Sequence, residues 1–132
     1  MDSPIIPIRR KRYVYPKITV LVTEAGKYID SQEFKLDRNT ESVEGVYLTT
    51  DNEEEIFNLQ QRLEINQNEI LPQNFEARLL YTYASVGTND RIWDLNSEPA
   101  GNQNVKITCF DASTTAFAPY KVKYTFKCLL KD

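Results

Sequence analysis

The sequence predicts an all-β protein built as an antiparallel β-sandwich or barrel, and three observations carry that prediction. β-Branched residues abound, with 8 Val, 10 Ile and 11 Thr joined by 8 Tyr and 6 Phe, against only 7 Ala. Apolar and polar residues alternate with a period of two over several segments, most clearly across Tyr120–Leu130. Turn-prone residues separate those segments, and 132 residues is the length of about one domain.

Lys17-Ile-Thr-Val-Leu-Val-Thr-Glu24 is a compact β-branched run stopped by Ala25-Gly26, the pattern of a buried strand entering a turn. In Gln32–Asp37, Phe34 and Leu36 alternate with charged residues, and Val43–Thr49 follows the turn-prone Asp37-Arg-Asn-Thr40. Asp51–Ile65 fits two patterns. As a helix it would be capped by Thr50 or Asp51 and line Ile56, Leu59, Gln60 and Leu63 on one side. As a strand it places Phe57, Leu59, Leu63 and Ile65 on one face, interrupted only by Gln61, and the strand is preferred. Asn66–Asn74, with Pro72, reads as a connection, and Phe75–Tyr83 as the next strand.

Arg91–Leu95 reads as a short strand and Asn96–Asn104 as a polar loop with Pro99 and Gly101. Val105, Ile107 and Cys109 alternate with Lys106, Thr108 and Phe110. In the last strand Val122, Tyr124, Phe126, Cys128 and Leu130 oppose Lys121, Lys123, Thr125, Lys127 and Leu129. The expected body is an eight-stranded antiparallel β-sandwich, and the long terminal strand and variable loops favour a jelly roll over an up-and-down barrel.

Charge divides the chain into an arm, residues 1–16, and a sandwich domain, residues 17–132. Through residue 17 there are five cations, Arg9, Arg10, Lys11, Arg12 and Lys17, against Asp2 alone, whereas the remainder is acidic. Pro4, Pro7 and Pro16 deny the arm regular bonding, so it is expected to be extended and to take shape against a surface. Nucleic acid, an anionic membrane face or a neighbouring subunit would supply that surface.

The absence of His removes the commonest general base, the usual nucleophilic triads and most transition-metal sites. Cys109 and Cys128 read as buried thiols; whether they pair is open. The four glycines are too scattered for a phosphate loop, and Asp51–Glu55 lacks the spacing and Gly of a calcium loop. Asp90 and Asp94 flank Trp93 as a glycosidase pair would, a juxtaposition any acidic β-chain offers by chance. No enzyme, cofactor, metal or small-molecule substrate is expected. Neither a membrane-spanning apolar run nor a signal-peptide order is found, so the chain is expected to be neither transmembrane nor secreted by that route. Trp93 with Tyr81 and Tyr83 forms a candidate glycan-stacking or interface group, the core-capping role being the plainer one.

A basic, proline-punctuated arm (Pro4 to Pro16), eight β segments over Lys17–Leu130, Asn/Gln-rich loops and no catalytic residues together resemble the small single jelly-roll virion proteins of bacteriophages and icosahedral viruses. The resemblance is architectural and covers nearly the whole chain. It implies a structural minor capsid or vertex (penton) subunit, located in the virion. Such a subunit forms a homo-oligomer, meets other capsid subunits, and uses its arm on neighbours, genome or an internal membrane. Two other readings stand beside it: a glycan-binding or adhesive sandwich using Trp93 and nearby tyrosines, and a nucleic-acid-binding module acting through the arm.

Overall fold

The computed structural model describes residues 11–31, 34–81, 92–101, 104–114, 117 and 119–131. Among them there is no α-helix; ten strand segments and two short 3₁₀ turns make up the regular structure. The strands are β1 (Tyr13–Val14), β2 (Lys17–Val22), β3 (Tyr28–Asp30), β4 (Phe34–Lys35), β5 (Thr40–Thr50), β6 (Leu59–Ile65), β7 (Asn68–Glu76), β8 (Trp93–Pro99), β9 (Asn104–Asp111) and β10 (Tyr120–Leu130).

They form two antiparallel sheets, a β-sandwich. In the first, β10 lies between β5 on one side and β1 and β2 on the other, and β8 borders β5. In the second, β9 lies between β6 on one side and β3 and β4 on the other, and β7 borders β6. β1 and β2 share one register along β10, with Tyr13 opposite Leu129 and Lys17 opposite Thr125. Between them Phe126 donates its amide to the Pro16 carbonyl at 3.0 Å, and Pro16 has no N–H with which to reciprocate. The interruption is therefore a missing proton, and the strand direction carries through.

Period-two alternation places the core, with one change of phase at the β5 bulge between Val43 and Gly45. Ile18, Val20 and Val22 of β2, Tyr120, Val122, Tyr124, Phe126 and Cys128 of β10, and Val43, Val46 and Leu48 of β5 point inward. Val105, Ile107 and Cys109 of β9 meet Leu59, Leu63 and Ile65 of β6 from the other sheet. Cys109 and Cys128 lie in different sheets and are both free thiols.

Several elements depart from the sequence reading, each for a local reason. Glu55–Asn58 is a 3₁₀ turn, so the alternation begins only at Leu59: Phe57 is 67% exposed, while Ile56 and Gln61 are buried. The expected connection Asn66–Asn74 is largely β7, because Asn66 and Gln67 both take left-handed conformations (φ 54° and 66°) and close a tight hairpin from β6. Pro72 is tolerated there since β7 borders its sheet. The expected strand Phe75–Tyr83 breaks after Glu76 into a 3₁₀ turn, Ala77–Leu79, that buries Ala77 and Leu80 at a spacing of three. Beyond it, Tyr81 makes an isolated parallel bridge to Leu48.

β8 runs past the expected Leu95 to Pro99, its irregular middle held by left-handed Asn96 and Ser97 (φ 55° and 53°). β4 is shorter than Gln32–Asp37, although Leu36 is buried as its alternation requires. β3 was too short, at three residues, to stand out in the sequence.

Gly45 sits where β8 crosses β5. A Cβ there would come within 2.9 Å of the Trp93 carbonyl oxygen and overlap the Ile92 side chain. Gly45→Ala is expected to cost roughly 1–3 kcal/mol through overpacking. Urea denaturation reads this as a lower midpoint; an unchanged midpoint would show that β8 moves aside without cost.

Candidate functional site

Polar chemistry collects in three places: the outer face of the β10 sheet, the Trp93 edge, and the buried end of β9. On β10 the even residues fill the core, so the odd ones, Lys121, Lys123, Thr125, Lys127 and Leu129, face outward. Lys17 lies directly opposite Thr125, between the levels of Lys123 and Lys127. Tyr13 and Tyr15 of the adjoining edge are 37% and 42% exposed, and the Lys127 Nζ stands 4.5 Å from the centre of the Tyr13 ring.

Of the arm cations singled out from the sequence, Lys17 therefore joins the face built by β10. Arg12 accepts a backbone hydrogen bond from Leu130 N–H at 3.0 Å, and Lys11 lines a shallow pocket with Tyr13, Glu44, Asp94 and Lys127. Arg9 and Arg10 lie outside the described residues. Sequence reasoning passed over Lys121, Lys123 and Lys127, although their alternation was plain, because a polar strand face is ordinarily just solvated. Only the register that sets Lys17, Tyr13 and Tyr15 beside them makes the group.

The aromatic candidates are separated by their contacts. Trp93, opposite the buried Val46, reaches across the edge of the sandwich to Phe75 of the other sheet, with ring centroids 5.4 Å apart and planes at 78°. Tyr81 donates its hydroxyl to Glu53 Oε1 at 2.5 Å and lines a pocket with Phe57, Arg78 and Leu79. Tyr83 lies outside the described residues. Trp93 thus packs between sheets, 39% exposed, and is not among the residues lining the Tyr81 pocket.

The third group was not anticipated. Asp111 ends β9 in phase with Val105, Ile107 and Cys109, which carries its carboxylate inside. There it accepts the Tyr120 hydroxyl at 2.6 Å and the Ser113 amide at 2.8 Å. Burial, and secondarily the neighbouring Asp111 carboxylate, push the Glu55 carboxyl above its ordinary range. Cys109 Sγ lies 3.6 Å from the Tyr124 hydroxyl, and burial pushes its thiol up to about 12. Burial likewise raises Cys128 to about 12. Thiols so held carry no nucleophilic thiolate at neutral pH. The signal in the sequence was an acid on the apolar phase of a strand.

The Asp51–Glu55 stretch is tied up locally: Asp51 Oδ1 accepts the Lys121 amide at 2.9 Å, and Asn52 Oδ1 accepts the Glu55 amide at 3.2 Å. Of the expected carboxylate pair around Trp93, Asp90 lies outside the described residues, and Asp94 Oδ1 accepts the Asn96 amide at 2.7 Å. Among the described residues no group of three or more His, Cys, Asp or Glu is placed to hold a metal. No helix there is long and apolar enough to cross a membrane. Comparison with protein-family models, curated proteins and solved structures finds no match.

Because the folded state raises the Glu55 carboxyl, its contribution to stability is complete below the ordinary value of 4.5 and is lost as pH rises through the raised value. Glu55→Gln keeps a donor toward Asp111 without the charge. Its urea midpoint is expected to gain on the wild type as pH climbs from below 4.5 to neutral, and a pH-independent difference would contradict the assignment. Alkylation by iodoacetamide is expected to leave Cys109 and Cys128 unmodified in the native protein and to label both in guanidinium, read by intact mass.

Proposed function

We propose that this chain is a non-enzymatic structural protein of a virion, a minor capsid or vertex subunit whose jelly-roll body assembles through its sandwich edges. The observation that carries the reading is the pairing order. β1 continues into β2 along β10, and β3 and β4 follow one another along β9, so the segments group into eight strands. Counted along the chain, the first pairs with the eighth and the second with the seventh. The third pairs with the sixth and the fourth with the fifth. A long antiparallel ribbon rolled up, closed into two sheets by the β10–β5 and β9–β6 ladders, would give this order, which supports the jelly-roll reading.

Jelly rolls serve both capsid and lectin domains. The capsid role is favoured here by what the aromatic and edge residues do. Trp93, the natural sugar platform, is engaged edge-on with Phe75. The combined β1–β2 edge, by contrast, is long and only lightly guarded. The bonds to the Pro16 and Arg12 carbonyls set the β10-bonded positions at even residues, so the amides of Tyr13, Tyr15, Lys17, Thr19 and Leu21 point away from β10. Leu21 adds an apolar side chain, 47% exposed, to this edge. A neighbouring subunit covering it would satisfy both backbone and side chain. Residues 12–16 of the basic arm are themselves part of this edge, bonded along β10.

Light scattering after size exclusion tests the reading. The full chain is expected to run as a closed oligomer. Thr19→Pro removes an outward amide without touching a β10 bond, so it is expected to shift the mass to monomer with the far-ultraviolet spectrum unchanged. A monomer at every concentration, or an oligomer indifferent to Thr19→Pro, would remove edge assembly as the explanation.

A further inference from the structure

We propose that the outer face of the β1–β2–β10–β5 sheet binds single-stranded nucleic acid, with phosphates on Lys17, Lys121, Lys123 and Lys127 and bases against Tyr13 and Tyr15. This inference concerns a face, not the arm residues 1–10, and does not depend on the virion reading.

The first support is charge segregation within an acidic chain. The formal charge is −3, yet this face carries four lysines, and none of them forms an ion pair among the described residues. The opposite sheet is arranged otherwise. There Arg62 bonds Glu64 and Glu69 at 3.0 and 3.1 Å, and Lys106 stands 3.7 Å from Asp30, so the cations of β6 and β9 are matched. A run of unmatched cations along one strand face is what a polyanion finds complementary.

Spacing is the second support. Lys121 and Lys123 project from one side of β10 a strand repeat apart, roughly 7 Å, and Lys127 lies two repeats further on. Lys17 stands beside the gap at Thr125, which its neighbours bury to 2% exposure. The result is a continuous stripe along β10. Beside Lys121 and Lys123 a groove of about 480 Å³ is lined by the hydroxyl residues Thr19, Thr49 and Thr50 and by Asp51. Carboxylates stand near the two ends of the stripe, and three of them are hydrogen-bonded to neighbours. Asp51 holds the Lys121 amide, Glu44 accepts the Ser42 and Ser97 hydroxyls, and Asp94 accepts the Asn96 amide.

The third support selects the class of polyanion. Tyr13 and Tyr15 flank the stripe at the Lys127 end, exposed on the same face, and Lys127 lies over Tyr13. Lysines alternating with exposed rings suit unpaired bases, which stack, while a duplex offers neither its bases nor a groove to a sheet face without a protruding element.

The test is fluorescence anisotropy of a labelled oligothymidylate strand, and of a duplex of equal length, with the full chain at rising salt. Binding to the single strand is expected, with a logarithmic salt slope of about −0.7 for each phosphate contacted. The combined Lys17→Gln, Lys121→Gln, Lys123→Gln and Lys127→Gln variant is expected to flatten that slope by about 3 and to weaken binding at least about tenfold. Single Lys123→Glu, an exposed change, is expected to flatten the slope by about 0.7 and to weaken binding, and serves should the fourfold variant misfold by circular dichroism. Tyr15→Ala is expected to weaken the single strand between about fivefold and 100-fold without altering the slope. No binding at low salt overturns the proposal, as does equal or tighter binding of duplex. So does binding that the lysine variants leave intact but Arg9→Gln with Arg10→Gln abolishes, since the arm alone would then be the site. Loss of oligomer mass in the lysine variants without loss of strand binding also overturns it, assigning the face to a second copy.

Discussion

The sandwich depends on the register of β10. Its even residues, Tyr120, Val122, Tyr124, Phe126 and Cys128, are each 2% exposed or less, and the strand is bonded along its length to β5 on one flank and to β1 and β2 on the other. A slip of one residue would carry Lys121, Lys123 and Lys127 into the core and put those five side chains into water. At about 1.5–3 kcal/mol for each buried apolar side chain, the loss is on the order of 10 kcal/mol before any charge is desolvated. That equals the whole stability of an ordinary domain, so the alternate register is not populated. The alternation that fills the core therefore also fixes where the lysines stand.

This explains what was legible in the sequence and what was not. Strands whose two faces differ strongly, β2, β9 and β10, are legible from period two, β10 to its ends at Tyr120 and Leu130. The misreadings fall where backbone conformation decides before side-chain burial does. Asn66 and Gln67 turn β6 into β7 by adopting left-handed angles, a property that looked like loop composition. Ala77 and Leu80 are buried at a spacing of three, which period-two reading of Phe75–Tyr83 could not register. The candidate face was half legible: the lysines were visible as a polar face, but their company with Tyr13, Tyr15 and Lys17 is a product of cross-strand register, which no local pattern encodes.

Inside, the sandwich is less uniformly apolar than its strand patterns imply. Gln61 stands opposite Cys109, Cys109 touches the Tyr124 hydroxyl, and Tyr120 reaches Asp111. The Cys109–Tyr124 and Asp111–Tyr120 contacts run between β9 and β10, so the two sheets are joined by directional contacts as well as by burial. A hydrophobic interface alone tolerates sliding, whereas a 2.6 Å hydroxyl–carboxylate bond between β10 and the end of β9 does not. The cost is a carboxylate kept dry, and Glu55, raised first by its own burial, is raised further by that neighbour.

Edge and face offer separate chemistry because a strand presents its backbone and its side chains in perpendicular directions. The odd residues of the β1–β2 edge aim their amides sideways in the plane of the sheet, while their side chains stand out from it. A neighbour added at the edge would extend the sheet, and with it the basic face, without covering Lys17, Lys123 or Lys127. Pro16 sits where it disturbs neither, lacking only an N–H that would have faced β10. Closed assembly through edges would consequently align the lysine stripes of successive subunits on one side of the ring. A surface that is weakly basic in one subunit becomes a strong polyanion site when repeated.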